Sequence, residues 1–218
     1  MIRLMPCLLR LNRIPVLLVS ICAFSTSGYA LDVEDPWSVL EELRDNLAAG
    51  TLRAGFVQIY RPAGFTTGDR ETGHLHLSLP DCVRWDYDEP YPKAFLLCQS
   101  TIYTWNPGDR AGRRFQLADT DEPGIDLLRL HLDDLRRRYE ARVERTQDGS
   151  FEVILSPLVA SSTIVEARVT MDSERQVLSN LSYRDLEGNV SEFEITRYQP
   201  FADAGQFEPP SDLDWLDQ

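Results

Sequence analysis

Cys82-Val83-Arg84-Trp85-Asp86-Tyr87 and Lys93-Ala94-Phe95-Leu96-Leu97-Cys98, separated by Asp88-Glu89-Pro90-Tyr91-Pro92, are the segments whose reading decides the fold. Side chains alternate across a strand, so Val83, Trp85 and Tyr87 share one face and Cys82, Arg84 and Asp86 the other. Pro90 and Pro92 end the first strand and turn the chain. A hairpin that sets Trp85 opposite Phe95 also sets Val83 opposite Leu97 and Cys82 opposite Cys98. One register therefore predicts both an aromatic face and a Cys82–Cys98 disulfide. Two buried free thiols acting as small hydrophobes are the alternative.

The period of two continues outward in both directions. Leu75, Leu77 and Leu79 share a face of the strand that begins at Gly73, with His74, His76 and Ser78 on the other. Phe56, beside Gln58, extends the apolar series upstream, and Trp105 and Phe115 extend it downstream. Turns marked by Gly64, Gly68, Pro80 and Pro107-Gly108 divide residues 53–117 into short antiparallel strands. Alternation resumes at 139–145, 151–155, 164–171, 177–183 and 192–198, which makes about ten or eleven strands. Two stretches read as helices. In the first, Asp35 caps, Pro36 fits the first turn, Leu40, Leu43 and Leu47 form a stripe, and Gly50 stops it. The second, residues 123–139, carries Leu127, Leu128, Leu132 and Leu135 and closes on Arg136-Arg137-Arg138. A sheet this long with one apolar face must curl and find cover. The expected architecture is mainly β, an incomplete, open antiparallel β-barrel covered by a helical lid.

Charge narrows the choice of partners. The chain has 22 Lys+Arg against 35 Asp+Glu, a net charge of −13. That balance excludes a basic nucleic-acid footprint and opposes adsorption to an anionic bilayer. Arg3, Arg10 and Arg13, an apolar run over residues 14–24, and Gly28-Tyr29-Ala30 have the layout of a secretory signal peptide, residues 1–30, with cleavage after Ala30. Cys7 and Cys22 leave with it, and bulky Ile21 before Cys22 argues against lipid anchoring. The mature chain, residues 31–218, is expected to be a single soluble periplasmic domain and a monomer. Residues 202–218 read as a loosely ordered acidic tail.

Catalytic signatures are missing from the sequence. It contains no phosphate loop, no Gly-x-Ser-x-Gly elbow and no His-Glu-x-x-His motif. His74 and His76 point the same way on one strand, but only His131 could join them, so neither a metal site nor a cofactor is expected. Carboxylates are too numerous to nominate an acid/base pair. What stands out is the apolar strand face, which periodicity alone reads first as a filled core and only second as the wall of a cavity.

The block Pro80-Asp81-Cys82-Val83-Arg84-Trp85-Asp86-Tyr87-Asp88-Glu89-Pro90 resembles the LolA family of periplasmic outer-membrane lipoprotein carriers through its Arg-Trp-x-Tyr core between prolines. Further pieces follow in that family's order: the amphipathic first helix, Phe56-Val57-Gln58, Gly73-His74-Leu75, Ile102-Tyr103-Thr104-Trp105-Asn106, Leu155-Ser156-Pro157 and Phe207-Glu208-Pro209-Pro210. The resemblance implies a non-catalytic, cofactor-free carrier whose cavity shields lipoprotein acyl chains. Such a carrier takes cargo from an inner-membrane ABC exporter and passes it to an outer-membrane receptor. By position, Val83, Trp85 and Tyr87 would line the cavity or its mouth, and Leu127 and Leu128 would belong to the lid. With the alternating face, the expected lining is Phe56, Leu75, Leu77, Val83, Trp85, Tyr87, Phe95, Leu97, Trp105, Phe115, Leu127 and Leu128.

The sequence also departs from the family pattern. Leu79 stands where the family has an Arg that latches the lid, Val83 stands where Phe is typical, and Gln99-Ser100 replaces an Asp-Gly turn. Two other readings follow from the resemblance: a carrier of another amphiphile, such as a glycolipid or pigment, or a lipid-sensing module in envelope-stress signalling. The latter would be expected to carry a second domain. Hiding about ten methylenes gains about 8 kcal/mol, which is micromolar binding, tight enough to ferry and loose enough to deliver.

Overall fold

Helix α1 (Pro36–Ala48) starts where Asp35 accepts hydrogen bonds from Ser38 N and Oγ, both at 3.0 Å. Pro36 occupies the first turn, where a missing N–H costs nothing. The computed structural model describes residues 34–116, 132–159 and 163–217. After α1, a first meander runs through β1 (Leu52–Arg61), β2 (Asp69–Ser78), β3 (Cys82–Glu89), β4 (Lys93–Cys98), β5 (Thr101–Trp105) and β6 (Ala111–Gln116). The short helix α2 (Leu132–Arg138) leads directly into a second, made of β7 (Tyr139–Arg145), β8 (Phe151–Pro157), β9 (Ile164–Met171), β10 (Leu178–Asp185) and β11 (Val190–Pro200). The rest of the helical stretch expected over 123–139 lies outside the described residues, apart from Tyr139, which opens β7.

The meanders join through β1 and β11, which pair antiparallel with Phe56 opposite Ile195 and Gln58 opposite Phe193. The result is one twelve-stranded sheet in the order β12-β6-β5-β4-β3-β2-β1-β11-β10-β9-β8-β7, where β12 is Asp214–Asp217. The edge strands β12 and β7 do not meet, so the sheet is open. The β3–β4 hairpin has Trp85 opposite Phe95, Val83 opposite Leu97 and Cys82 opposite Cys98, the register that the alternation predicts. Cys82 and Cys98 form a disulfide with their Cα atoms 4.2 Å apart.

The inner face holds the main core. Val39, Leu40, Leu43 and Leu47 of α1 and Leu135 of α2 are buried with Leu77, Val83, Leu155, Val169 and Leu178 from five different strands. Strands lie about 4.8 Å apart, so a helix on a flat sheet could not gather residues from β2 through β8; the sheet must curl around its cover.

The outer face corrects the reading of residues 202–218 as a loose tail. A 3-10 turn (Ala204–Phe207) and β12 dock there, and β12 pairs parallel with β6. Phe207, Leu213 and Trp215 pack on buried Ala94, Leu96 and Trp105. The Trp215 ring lies edge-on to Tyr103 and Trp105 at 5.1 and 5.9 Å. It fits because residue 112 is glycine: a Cβ there would sit 2.3 Å from Trp215 Cζ3. Acidity pointed to a solvated tail, but a few large apolar side chains outweigh it once they find a matching surface.

Polar contacts pin the same segment. Arg84 donates to Asp86 through Nε and Nη2 at 2.8–2.9 Å, and its Nη1 donates to the Gln206 carbonyl at 3.0 Å. Buried His76 places Nδ1 3.4 Å from Asp86 and its ring 4.9 Å from that of Phe201. Burial pushes the Asp86 carboxyl up, but hydrogen bonding and charge from His76 and Arg84 more than offset this and hold it below the ordinary 3.8. A depressed carboxyl contributes its full stability above about pH 3.8 and loses it as pH falls through the lower, folded value. Asp86→Asn is therefore expected to lower the Tm near neutral pH and to speed amide exchange over residues 201–217. The Tm gap from the wild type should close as pH falls below 3.8 and through the depressed folded value. A gap that does not change with pH would contradict this role.

Candidate functional site

At one end of the inner face the described helices contribute nothing, and a cavity of about 300 Å³ remains. Its wall is built from alternate residues of eight strands: Phe56 and Gln58 of β1, Leu75 of β2, Trp85 and Tyr87 of β3, and Lys93, Phe95 and Leu97 of β4. Ile102 of β5, Phe115 of β6, Leu181 and Tyr183 of β10, and Phe193 and Ile195 of β11 complete it. An aromatic belt runs along this wall. Phe95 and Tyr87 meet edge to face at 5.8 Å and Tyr87 and Phe56 at 4.9 Å, while Phe56 and Phe193 are 6.3 Å apart and Phe193 stacks on Tyr183 at 6.4 Å. The belt crosses β2 at Gly73, which faces Phe56 on one side and Tyr87 on the other. A Cβ on Gly73 would lie 2.0 Å from the Asp86 carbonyl oxygen and 2.9 Å from Phe56 Cε1, so only glycine lets the two rings meet across the strand.

One end of the cavity is polar. Tyr87 donates its hydroxyl hydrogen to Gln58 Oε1 at 2.6 Å. Lys93 Nζ bridges to both oxygens of Glu71 at 2.7 and 3.0 Å and lies 4.4 Å from the Tyr87 ring centre. Gln58 and Glu71 are cross-strand partners, as are Tyr87 and Lys93, so the four groups are set by backbone register.

Of the residues expected to line a cavity, the structure brings together Phe56, Leu75, Trp85, Tyr87, Phe95, Leu97 and Phe115. Leu77 and Val83 share that face but lie farther along their strands, packed into the core with the helices. Trp105 is on the opposite face: Ile102 pairs with Leu97, so Trp105 pairs with Ala94 and packs against Trp215. Leu127 and Leu128 lie outside the described residues. Leu79, at the family's latch position, flanks a small void with Leu40, Leu43 and Leu135. Arg44 of α1 reaches the same place; its Nη1 is buried without a partner among the described residues, and burial lowers the guanidinium pKa.

Sequence reasoning did not assign Gln58, Lys93 or Ile102 to the lining, nor the four residues of β10 and β11. For the latter a signal was present, because Phe193 and Ile195 alternate with Glu192, Glu194 and Thr196. His74 and His76 each face a carboxylate, His74 Nδ1 lying 2.9 Å from Asp88. Among the described residues no cluster of three or more His, Cys, Asp or Glu could hold a metal, and no helix is long and apolar enough to cross a membrane.

With this geometry in place, the family model described as "Outer membrane lipoprotein carrier protein LolA" matches residues 48–209. The chain belongs to the LolA family. A relative, the outer-membrane lipoprotein carrier protein of Shewanella baltica strain OS195, is 24% identical over 208 residues, covering 93% of this chain and 94% of its own. Among solved structures, an uncharacterized conserved protein of Thermus thermophilus has a TM-score of 0.56 at 9% identity, covering 83% of this chain and 98% of that one. That likeness shows a shared fold. A LolA superfamily protein of Nitrosomonas europaea gives a TM-score of 0.48 at 10% identity, covering 83% of this chain and all of that one.

The contact at Gly73 makes a specific demand on this LolA-family wall. Gly73→Ala is expected to destabilise the fold by about 1–3 kcal/mol through overpacking against Asp86 and Phe56. Chemical denaturation measures it, and an unchanged midpoint would show that the wall does not need the close approach.

Proposed function

We propose that the mature chain is a periplasmic carrier that holds the acyl chain of a lipoprotein, or of a similar amphiphile, in the inner-face cavity. It receives this cargo from an inner-membrane exporter and delivers it to an outer-membrane receptor. The observation that carries the reading is the apolar hollow itself. A packed interior rarely leaves room for more than a water molecule, whereas this cavity of about 300 Å³ is walled largely by aromatic and aliphatic side chains. A methylene fills about the volume of one liquid water, ~30 Å³, so the space suits roughly ten methylenes of one chain. Their burial gains about 8 kcal/mol before the costs of ordering, which corresponds to reversible, micromolar binding.

Charge supports the same reading. A chain with a net charge of −13 is repelled by anionic lipid headgroups, so it can approach either membrane without adsorbing to it. No step calls for catalysis or a cofactor: uptake and release are a partition of hydrocarbon between two apolar environments.

Native mass spectrometry of gently purified mature protein should show bound acyl-chain mass. Trp85 lines the cavity and is only partly buried. Trp85→Glu is therefore expected to cut affinity for a fluorescent acyl probe by at least about tenfold while lowering stability by less than about 2 kcal/mol. Parallel loss of folding and binding would make Trp85 a core residue. A wild-type protein that takes up no acyl probe would overturn the carrier reading.

A further inference from the structure

The polar end of the cavity is placed too regularly to be an accident of packing. Along β1 the lining runs from Phe56 to Gln58, and along β3 from Trp85 to Tyr87. Along β4, running the other way, it begins at Lys93 and continues through Phe95 to Leu97. In each strand the more polar lining residue is the one nearest the β1–β2 and β3–β4 turns, and the wall deeper along the strands is aromatic and aliphatic. A guest that matches this gradient has a polar group at one end and an alkyl chain at the other.

The hydrogen-bond inventory narrows the polar group. Gln58 uses Oε1 as the acceptor for Tyr87, which fixes its amide and leaves the two Nε2 hydrogens; no described residue takes them. Lys93 Nζ spends one or two of its three donors on Glu71. What the cavity offers a ligand is therefore N–H donors, which call for an acceptor. Charge narrows it again. Glu71 lies against Lys93 with side chains 19% and 32% exposed, so the ammonium is already neutralised and the site presents no net positive charge to a carboxylate. An alkylammonium head has no acceptor to give these donors.

Resting on the carrier reading above, we infer that Gln58 and Lys93, held in place by Tyr87 and Glu71, are a polar anchor for the neutral carbonyl of an acyl ester or amide. The chain enters alkyl end first and stops when its carbonyl meets the N–H donors. Gln58 is the positioning group with the clearer role, because it lines the cavity with both amide N–H donors unspent on the described protein.

Competition against a fluorescent acyl probe on the mature protein tests this, with methyl laurate, laurate, dodecyl methyl ether and dodecyltrimethylammonium as competitors. The ester is expected to compete about fivefold to tenfold better than the ether, which keeps the chain but lacks the carbonyl. Laurate should do no better than the ester, and the ammonium should be the weakest. Gln58→Leu should bring the ester down to the level of the ether. Lys93→Met should narrow the same gap, and it carries the test if the Gln58 variant does not fold by circular dichroism. Equal competition by ester and ether in the wild type, or a Gln58→Leu protein that keeps the preference, would overturn the anchor while leaving the carrier reading standing. Laurate outcompeting the ester by more than about tenfold would show that the site reads charge, and would also overturn it. Failure of the probe itself to bind would instead remove the carrier reading on which the anchor rests.

Discussion

An apolar strand face that the described helices fill only at one end is the constraint on which the rest of this structure depends. Burial of such a face is the main force that folds a sheet against its helices. At one end that force is satisfied within the molecule, with α1 and α2 sealing Leu77, Val83, Leu155 and Leu178. At the other, the belt from Phe95 to Tyr183 bounds open space. The aromatic side chains there brace one another across Gly73 and along the belt, and neither α1 nor α2 lines this end. A hollow of this kind keeps its shape without a guest because its walls are cross-strand pairs of rings with preferred geometries.

The two faces of the sheet have opposite fates, and the outer one is closed by the C-terminal segment. A sheet exposed on both sides would offer two competing apolar surfaces. Here the C-terminal segment closes the outer side with Trp215 on Gly112 and Trp105, and with Arg84 and Asp86 beneath Gln206. The Cys82–Cys98 bridge lies on that same side of β3 and β4. Backbone register and outer-face contacts thus hold β3 and β4 from behind, where Trp85, Tyr87, Lys93 and Phe95 face the cavity.

Much of this was legible in the residues, and the failures are instructive. Alternation around Trp85 and Phe95 was enough to give the hairpin, its register and the cavity face of β3 and β4, because local pairing depends on a period of two and a short turn. The Asp35 cap and Leu stripe were enough for α1. Alternation fixes a face but not a height along the strand, so Leu77 and Val83 were expected at the cavity although they lie beneath the helices. Trp105 was misplaced because its size outweighed its parity: with Ile102 opposite Leu97, residue 105 must face away. Alternation with Glu192, Glu194 and Thr196 gives Phe193 and Ile195 a common face, but no local pattern encodes the β1–β11 pairing that brings them to Phe56 and Gln58. Acidity over residues 202–218 points to a solvated tail, but Phe207, Leu213 and Trp215 decide its place. The polar end at Gln58 and Lys93 was missed for a similar reason: a search for an apolar wall passes over the hydrophilic residues that complete it.

The central claim is that hydrocarbon sits against the inner face beside Trp85. Bromine on an alkyl chain quenches tryptophan fluorescence only at close range, so acyl esters brominated at successive positions locate the chain directly. The account predicts saturable quenching of the wild-type protein that depends on bromine position and disappears in Trp85→Phe, although Trp37, Trp105 and Trp215 remain. Quenching that survives the loss of Trp85, or that never saturates, would place the hydrocarbon elsewhere on the molecule and contradict the account.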